Sequence, residues 1–269
     1  MPSFKKYRVE DSKFRLASID PADAPFLEGD EQAQQERLDH LAGELDELQN
    51  LLHAEGRRKV LLVLQGMDTS GKDGTIRWVF SRTSPLGVRV TAYKAPNDDE
   101  RARDFLWRCH ANVPRSGEIM VWNRSHYEDV LVPWVEGWID RDEVRRRYAQ
   151  IRDFERLLTE TGTVVVKCML HISKKVQRER LQARVDDPGK RWKFQRSDLD
   201  VRKKWSDYQQ AYEQALGATS SKNAPWHVIP ADSKHHRNLM IAQLLVKTLR
   251  GMKLALPPAD SSLDGLVVE

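Results

Sequence analysis

Along the chain, apolar positions change period in a way that sorts helices from strands. From Glu31 to Glu55, leucines at 38, 41, 45, 48 and 52 recur at spacings of three and four. That is one apolar stripe along a helix, which Gly56 ends. Lys59–Gln65 (KVLLVLQ) is instead an unbroken apolar run, and Thr163–His171 (TVVVKCMLH) is a second, rich in β-branched residues. Runs without alternation predict strands buried on both faces. Shorter strands are predicted at 88–93, 118–122 and 226–230. Helices are predicted at 72–82, 98–111, 125–131, 140–159, 174–185, 198–216 and 235–250. Strand alternating with helix predicts an α/β domain: a parallel five-stranded sheet covered by helices on both faces. Residues 1–30 carry scattered charges with Pro2, Pro21 and Pro25 and read as an extended arm. The domain proper spans 31–256, and 257–269 reads as a flexible tail. The leucine stripe packs on the protein's own core or on a second subunit, and a homo-oligomer, dimer or tetramer, is expected.

The first strand runs straight into Gly66-Met67-Asp68-Thr69-Ser70-Gly71-Lys72-Asp73-Gly74. Gly66, Gly71 and Lys72 fit the G-x-x-x-x-G-K skeleton of a phosphate-binding loop, in the strand–loop–helix setting it requires. Glycines let backbone N–H groups turn inward around a phosphate, the helix N-terminus faces it, and the lysine adds charge. The fold is therefore expected to be P-loop kinase-like. After Lys72 comes Asp73, where Ser or Thr would ordinarily meet Mg²⁺. Asp68 is the carboxylate in position to hold the metal, directly or through water; its plain alternative is a loop-shaping Asx turn. The third strand ends in Asn123-Arg124-Ser125-His126-Tyr127-Glu128-Asp129. Arg124 suits bidentate phosphate contact, with a surface ion pair as alternative. His126 reads as a packed histidine, because transfer between phosphates needs no strong base.

Charge sharpens this picture. The 269 residues carry 44 Lys+Arg against 40 Asp+Glu, a net +4. Between Lys174 and Lys204, however, twelve basic residues face five acidic ones, so that window alone carries +7. Such concentration suggests a polyanionic partner or, more plainly, a solvated helix face. Arg178 and Arg184 fall on a helix, Pro188-Gly189 breaks it, and Lys190, Arg191 and Lys193 follow around Trp192. Mobile arginine-rich flaps of phosphotransferases have this make-up, and residues 174–204 are expected to form a helical lid. A nucleic-acid contact with Trp192 stacking on a base is the rival; a single aromatic beside Asp186-Asp187 argues against it. No apolar run approaches the ~20 residues that cross a bilayer. The N-terminus lacks a signal-peptide core, and two cysteines make no disulfide framework. A cytoplasmic protein with no membrane and no nucleic-acid partner is expected.

Four segments together carry a family resemblance: GMDTSGKDG (66–74), YKAPNDDE (93–100), FLWRCHANVPRSGEIMVWNRSHYEDVLV (105–132) and ERLQARVDDPGKRWKFQRSDLD (179–200). The chain resembles the polyphosphate kinase type 2 family from about residue 30 to 255. Its NRSHYEDV form is similar to the branch that phosphorylates both AMP and ADP; a branch restricted to one step usually begins Asp-Arg-Ser. The resemblance implies inorganic polyphosphate as phosphoryl donor, AMP, ADP and ATP as nucleotides, and Mg²⁺ as cofactor. It implies that Asp68 organises metal and phosphates and that Lys72 grips the phosphoryl groups, within a cradle of Gly66, Met67, Thr69, Ser70, Gly71, Asp73 and Gly74. Asn123 and Arg124 would face the reacting phosphates, and Glu128 the nucleotide. Arg178 and Arg184 would serve as lid arginines, and Lys190, Arg191, Lys193 and Lys94 would line the polyphosphate path. After Val132 the sequence departs from the family with Pro133-Trp134-Val135-Glu136. An ATP-dependent nucleotide or nucleoside kinase is the alternative enzyme.

Overall fold

The computed structural model describes residues 3–268. The leucine-striped helix, α1 (Glu31–Glu55), starts where the Asp30 carboxylate accepts from the Ala33 amide and ends at Gly56 with φ 63°. Side-chain capping at one end and a left-handed glycine at the other make its boundaries legible. Leu38, Leu41, Leu45 and Leu52 are buried, and α1 packs on the last helix, α10 (Lys234–Gly251). The stripe is satisfied within the chain, which removes it as a reason to expect a second subunit.

Five parallel strands, β1 (Lys59–Gln65), β2 (Val88–Ala92), β3 (Ile119–Asn123), β4 (Thr163–His171) and β5 (Trp226–Pro230), lie in the order β2-β3-β1-β4-β5. The first apolar run is central: Leu62 pairs with Val121 on one side and Val166 on the other. One helical layer groups α1, α10 and α2 (Lys72–Val79). The other groups α5 (Glu128–Val135), α6 (Arg141–Glu160) and α9 (Trp205–Thr219). Covered on both sides, β1 and β4 are buried almost throughout. Within β4, Lys167 is wholly buried and donates to Glu155 at 2.6 Å and Tyr127 Oη at 3.0 Å. Both cysteines are buried and free. No helix among the described residues is long and apolar enough to cross a membrane.

Several helix expectations change in detail. The expected helix 98–111 is broken into α3 (Asp98–Arg101) and α4 (Trp107–His110), because the Asp104 carboxylate takes the Leu106 amide between them. Helix 72–82 stops at Val79, where the Thr83 hydroxyl donates to the Phe80 carbonyl. The helix expected at 125–131 begins later, at Glu128, because Ser125 Oγ accepts the Tyr127 amide. It then runs through Pro133. Proline cannot donate to the Asp129 carbonyl one turn back, and Arg147 donates there instead. The segment 174–204 contains α7 (Lys174–Asp186), a 3-10 turn (Arg191–Lys193) and α8 (Ser197–Lys203); Lys204 leaves helical geometry and separates α8 from α9. Over residues 3–30 the arm makes two short 3-10 turns and further turns closed by the Phe14, Asp23 and Leu27 amides, and Tyr7, Val9, Leu16, Ile19 and Phe26 are buried. Its Val9 amide donates to the Trp226 carbonyl at the edge of β5.

Candidate active site

The phosphate loop leaves the carboxyl end of the central strand β1 and feeds α2. Its path uses φ 148° at Gly66, 63° at Thr69 and 106° at Gly71. A Cβ at Gly71 would lie 1.8 Å from Arg237 Nη1, and one at Gly66 would lie 2.6 Å from the Leu170 carbonyl oxygen. Both positions therefore demand glycine. Lys72 is buried in the first turn of α2 and folds back, with Nζ donating to the Gly66 carbonyl at 2.7 Å. Burial, aided by the positive charge of Arg124, lowers its pKa to about 8 against the pull of Asp68, Glu128 and Asp73.

Opposite the loop stands the turn after β3. Arg124 takes φ 64° there, and its amide donates to the Leu64 carbonyl at 3.0 Å. That bond ties the turn to β1. The guanidinium donates to Asp68 Oδ1 at 2.8 Å and lies 3.8 Å from Glu128 Oε2. The charge of Glu128 is the main influence raising the Arg124 pKa, with burial opposing and Asp68 assisting. Gln65 sets Glu128 in place: its Nε2 donates to Glu128 Oε1 at 2.9 Å while its Oε1 accepts from Ser125 Oγ at 3.0 Å. Asn123 Nδ2 donates to Asp73 Oδ1 at 2.7 Å across to α2. Asp68, Lys72, Asp73, Asn123, Arg124 and Glu128 are thus brought together at the carboxyl ends of β1 and β3. His126 is buried edge-on against Trp122, and burial lowers its pKa, which matches a packed neutral imidazole.

Among the described residues, Arg178, Arg184, Lys190, Arg191 and Lys193 make no hydrogen bond or ion pair with the group at the carboxyl ends of β1 and β3. Arg178 is exposed. Arg184 Nη1 donates to the Lys193 carbonyl at 3.2 Å and lies 3.8 Å from Asp198. Lys190 pairs with Asp187 at 2.6 Å, Arg191 donates to the Val185 carbonyl at 2.7 Å, and Lys193 Nζ sits 5.0 Å from the Trp192 ring centroid. Lys94 is exposed beyond the end of β2, and its carbonyl accepts from Arg108. Of these cations, Arg184, Lys190 and Arg191 bond within their own segment, while Arg178 and Lys94 are exposed.

Sequence reading missed four groups at the site. Arg180 and Gln177, on α7, and Arg237, on α10, bond the outer side of the loop. Asp198 of α8 comes close enough to Asp68 that burial and the Asp68 charge raise its pKa. A signal existed for α7: Gln177 and Leu181 are spaced as one helical face, and both are buried. Arg237 carried none, since its contacts are made 167 residues away along the chain.

Among the described residues no group of three or more His, Cys, Asp or Glu side chains forms a ready metal cage. Thr69 Oγ1 and Ser70 Oγ are buried in the loop without hydrogen-bond partners, and Asp68 engages Arg124 through Oδ1. Such a donor set fits Mg²⁺, which takes one or two protein carboxylates and completes its shell with water and substrate phosphates. A cavity of about 550 Å³ opens beside Asp129, lined by Pro96, Arg101, Phe105, Arg108 and Arg147 among others.

Comparison with known proteins decides the family. The model of the polyphosphate kinase 2 family matches residues 28–257. The chain belongs to the polyphosphate kinase 2 family. Within that family it is 49% identical to the AMP/ADP-polyphosphate phosphotransferase of Meiothermus ruber, over 98% of this chain and 100% of that protein. It is 40% identical to the ADP-polyphosphate phosphotransferase of Rhodopseudomonas palustris, over 94% of this chain and 92% of that one. The crystal structure of polyphosphate kinase 2 from Arthrobacter aurescens superposes with a TM-score of 0.92 at 46% identity, covering 95% of this chain and 92% of the other.

Proposed function

We propose that this chain transfers a phosphoryl group between inorganic polyphosphate and adenine nucleotides, acting reversibly on both AMP and ADP. The carrying observation is the Asp68–Lys72–Arg124 cluster on a phosphate loop, in a chain so similar over its whole length to an enzyme named for AMP and ADP. Donor and acceptor are both polyanions, so their mutual repulsion is the main obstacle. Loop amides, Lys72 and Arg124 lower it by placing positive charge where the phosphates meet, in a setting of low dielectric. Asp68 holds Arg124 in place and, with the loop hydroxyls, would hold Mg²⁺, whose bound charge neutralises phosphate oxygens. Glu128 and the cavity beside Asp129 form the nucleotide side, with a volume in the range of small-molecule sites. Arg178, Arg184, Lys190, Arg191 and Lys193 act only once the lid closes and the donor competes for them with their present partners. Cytoplasm, where adenine nucleotides are abundant and thiols stay reduced, is the compartment this reading implies.

The test is an assay of AMP, then ADP, each with long-chain polyphosphate and Mg²⁺ and no ATP. Formation of ADP and ATP respectively supports the proposal. Transfer from ATP to a nucleoside or nucleotide, with none from polyphosphate, would assign the alternative kinase activity.

A further inference from the structure

Successive carbonyls of the phosphate loop are all held by side chains, the last three from the loop's outer side. Lys72 Nζ donates to the carbonyls of Gly66 at 2.7 Å and Met67 at 3.4 Å. Gln177 Nε2 donates to that of Asp68 at 3.3 Å. Arg180 Nη1 donates to Thr69 at 3.0 Å and Ser70 at 3.4 Å, and Arg237 Nη1 donates to Ser70 at 3.1 Å. In a trans peptide the N–H points opposite to the C=O, and no cis bond occurs among the described residues. Holding carbonyls 68–70 from the outer side therefore turns amides 69–71 inward. Only one of those three, Ser70, donates to a backbone carbonyl, that of Met67. The rest stay available for an anion.

Arg180 is the pivotal member. While its Nη1 serves the loop, its Nη2 donates to the carbonyls of Ala231 at 2.9 Å and Asp232 at 2.8 Å, just past β5. One planar fork thus spans four carbonyls on two segments, which the single point charge of a lysine cannot do. Arg180 also stands in α7, at the root of the basic segment. Beside it, Gln177 Oε1 accepts from Arg202 of α8 at 2.9 Å. We propose that Arg180 is a positioning residue that sets the peptide orientation of the phosphate loop and couples it to the base of the lid. The proposal rests on the reading of this loop as a phosphate site, but assigns Arg180 to the outer side of the loop, away from the reacting phosphates.

The test compares Arg180→Lys, Gln177→Met and their double variant in the full chain, with Gln182→Ala, an exposed neighbour on α7, as control. Calorimetry measures binding of inorganic tripolyphosphate without nucleotide; steady-state assays give kcat and the KM for ADP; circular dichroism and melting report the fold. Arg180→Lys keeps the charge and loses the fork. The expected result is about tenfold weaker tripolyphosphate binding and a kcat lower by about tenfold to a hundredfold, with the KM for ADP within about twofold. The double variant should lose less than the product of the singles, because both act on one loop. Wild-type binding and kcat in Arg180→Lys would overturn the proposal. Should Arg180→Lys lose its cooperative melt, Gln177→Met decides alone: the same losses support the proposal, and wild-type values overturn it. If the unaltered protein binds tripolyphosphate but transfers nothing to nucleotides, the proposed function fails while the binding arm still judges Arg180. Absence of tripolyphosphate binding by the unaltered protein would overturn both.

Discussion

Lys72 donates to the carbonyl of Gly66, six residues earlier, at 2.7 Å, so the loop's own lysine closes the loop. The same ammonium group is buried beside the glycine that starts the turn, in position to meet a phosphate. Replacing it by methionine preserves volume and removes the charge. Lys72→Met is expected to cut turnover by about 10²–10³ with secondary structure unchanged by circular dichroism.

The lowered pKa of Lys72, about 8, has two consequences for pH. In the free enzyme the ammonium loses its proton above that value, so kcat/KM is expected to fall with rising pH above about 8. For stability the sign is opposite. The unfolded lysine, at the ordinary 10.5, binds a proton that the folded one has released between about 8 and 10.5, so folding gains with pH across that window. The melting temperature of the unaltered protein should rise relative to Lys72→Met as pH climbs from 8 toward 10.5. A constant difference would show that the charge is not buried as described.

Asp68 holds Arg124 through a 2.8 Å hydrogen bond. Asp68→Asn keeps the shape of the side chain but removes the charge that fixes the guanidinium and that would meet a metal. Turnover is expected to fall by about 10²–10³, and added Mg²⁺ should restore little of it. The check is an Mg²⁺ titration of initial rates for both proteins.

Gly71 is constrained twice, by φ 106° and by Arg237 at the place a Cβ would occupy. Gly71→Ala must displace a buried guanidinium and strain the backbone, and is expected to cost at least about 1–3 kcal/mol. It should also abolish transfer. Urea unfolding together with the assay measures both, and a variant as stable and active as the original would contradict the packing under the loop.

The buried pair of Lys167 and Glu155, joined at 2.6 Å, underlies the turn that carries Arg124, since Tyr127 Oη also donates to Glu155 at 2.8 Å. Lys167→Met leaves a carboxylate buried without its cation and is expected to destabilise by about 3–5 kcal/mol. A double change of Lys167→Met with Glu155→Leu should recover much of that loss in urea melts.

Much of the frame was legible because local chemistry determined it. The runs at 59–65 and 163–171 have no alternation, so both faces had to be covered, and the structure covers them. Gly66, Gly71 and Lys72 announced their turn by spacing alone. Helix breaks were less visible: Asp104 and Lys204 stop helices through side-chain competition and a single backbone step that the apolar pattern does not record. That the helix runs through Pro133 was not legible either, because the donor to the carbonyl that proline leaves free is Arg147, distant in sequence. The loop-bracing groups Arg180, Gln177 and Arg237 were hidden for the same reason, since each acts on a backbone carbonyl more than a hundred residues away. Among the lid cations, the pattern of charge was clear but not its direction; Lys190 and Arg191 satisfy their own segment.

The most direct measurement supplies ADP and Mg²⁺ with polyphosphate carrying a radioactive terminal phosphate, no ATP, and either the unaltered protein or Lys72→Met. The account predicts label in the γ-phosphate of ATP with the former and about 10²–10³ less with the latter. Label appearing equally with both proteins, or only as free phosphate, would contradict it.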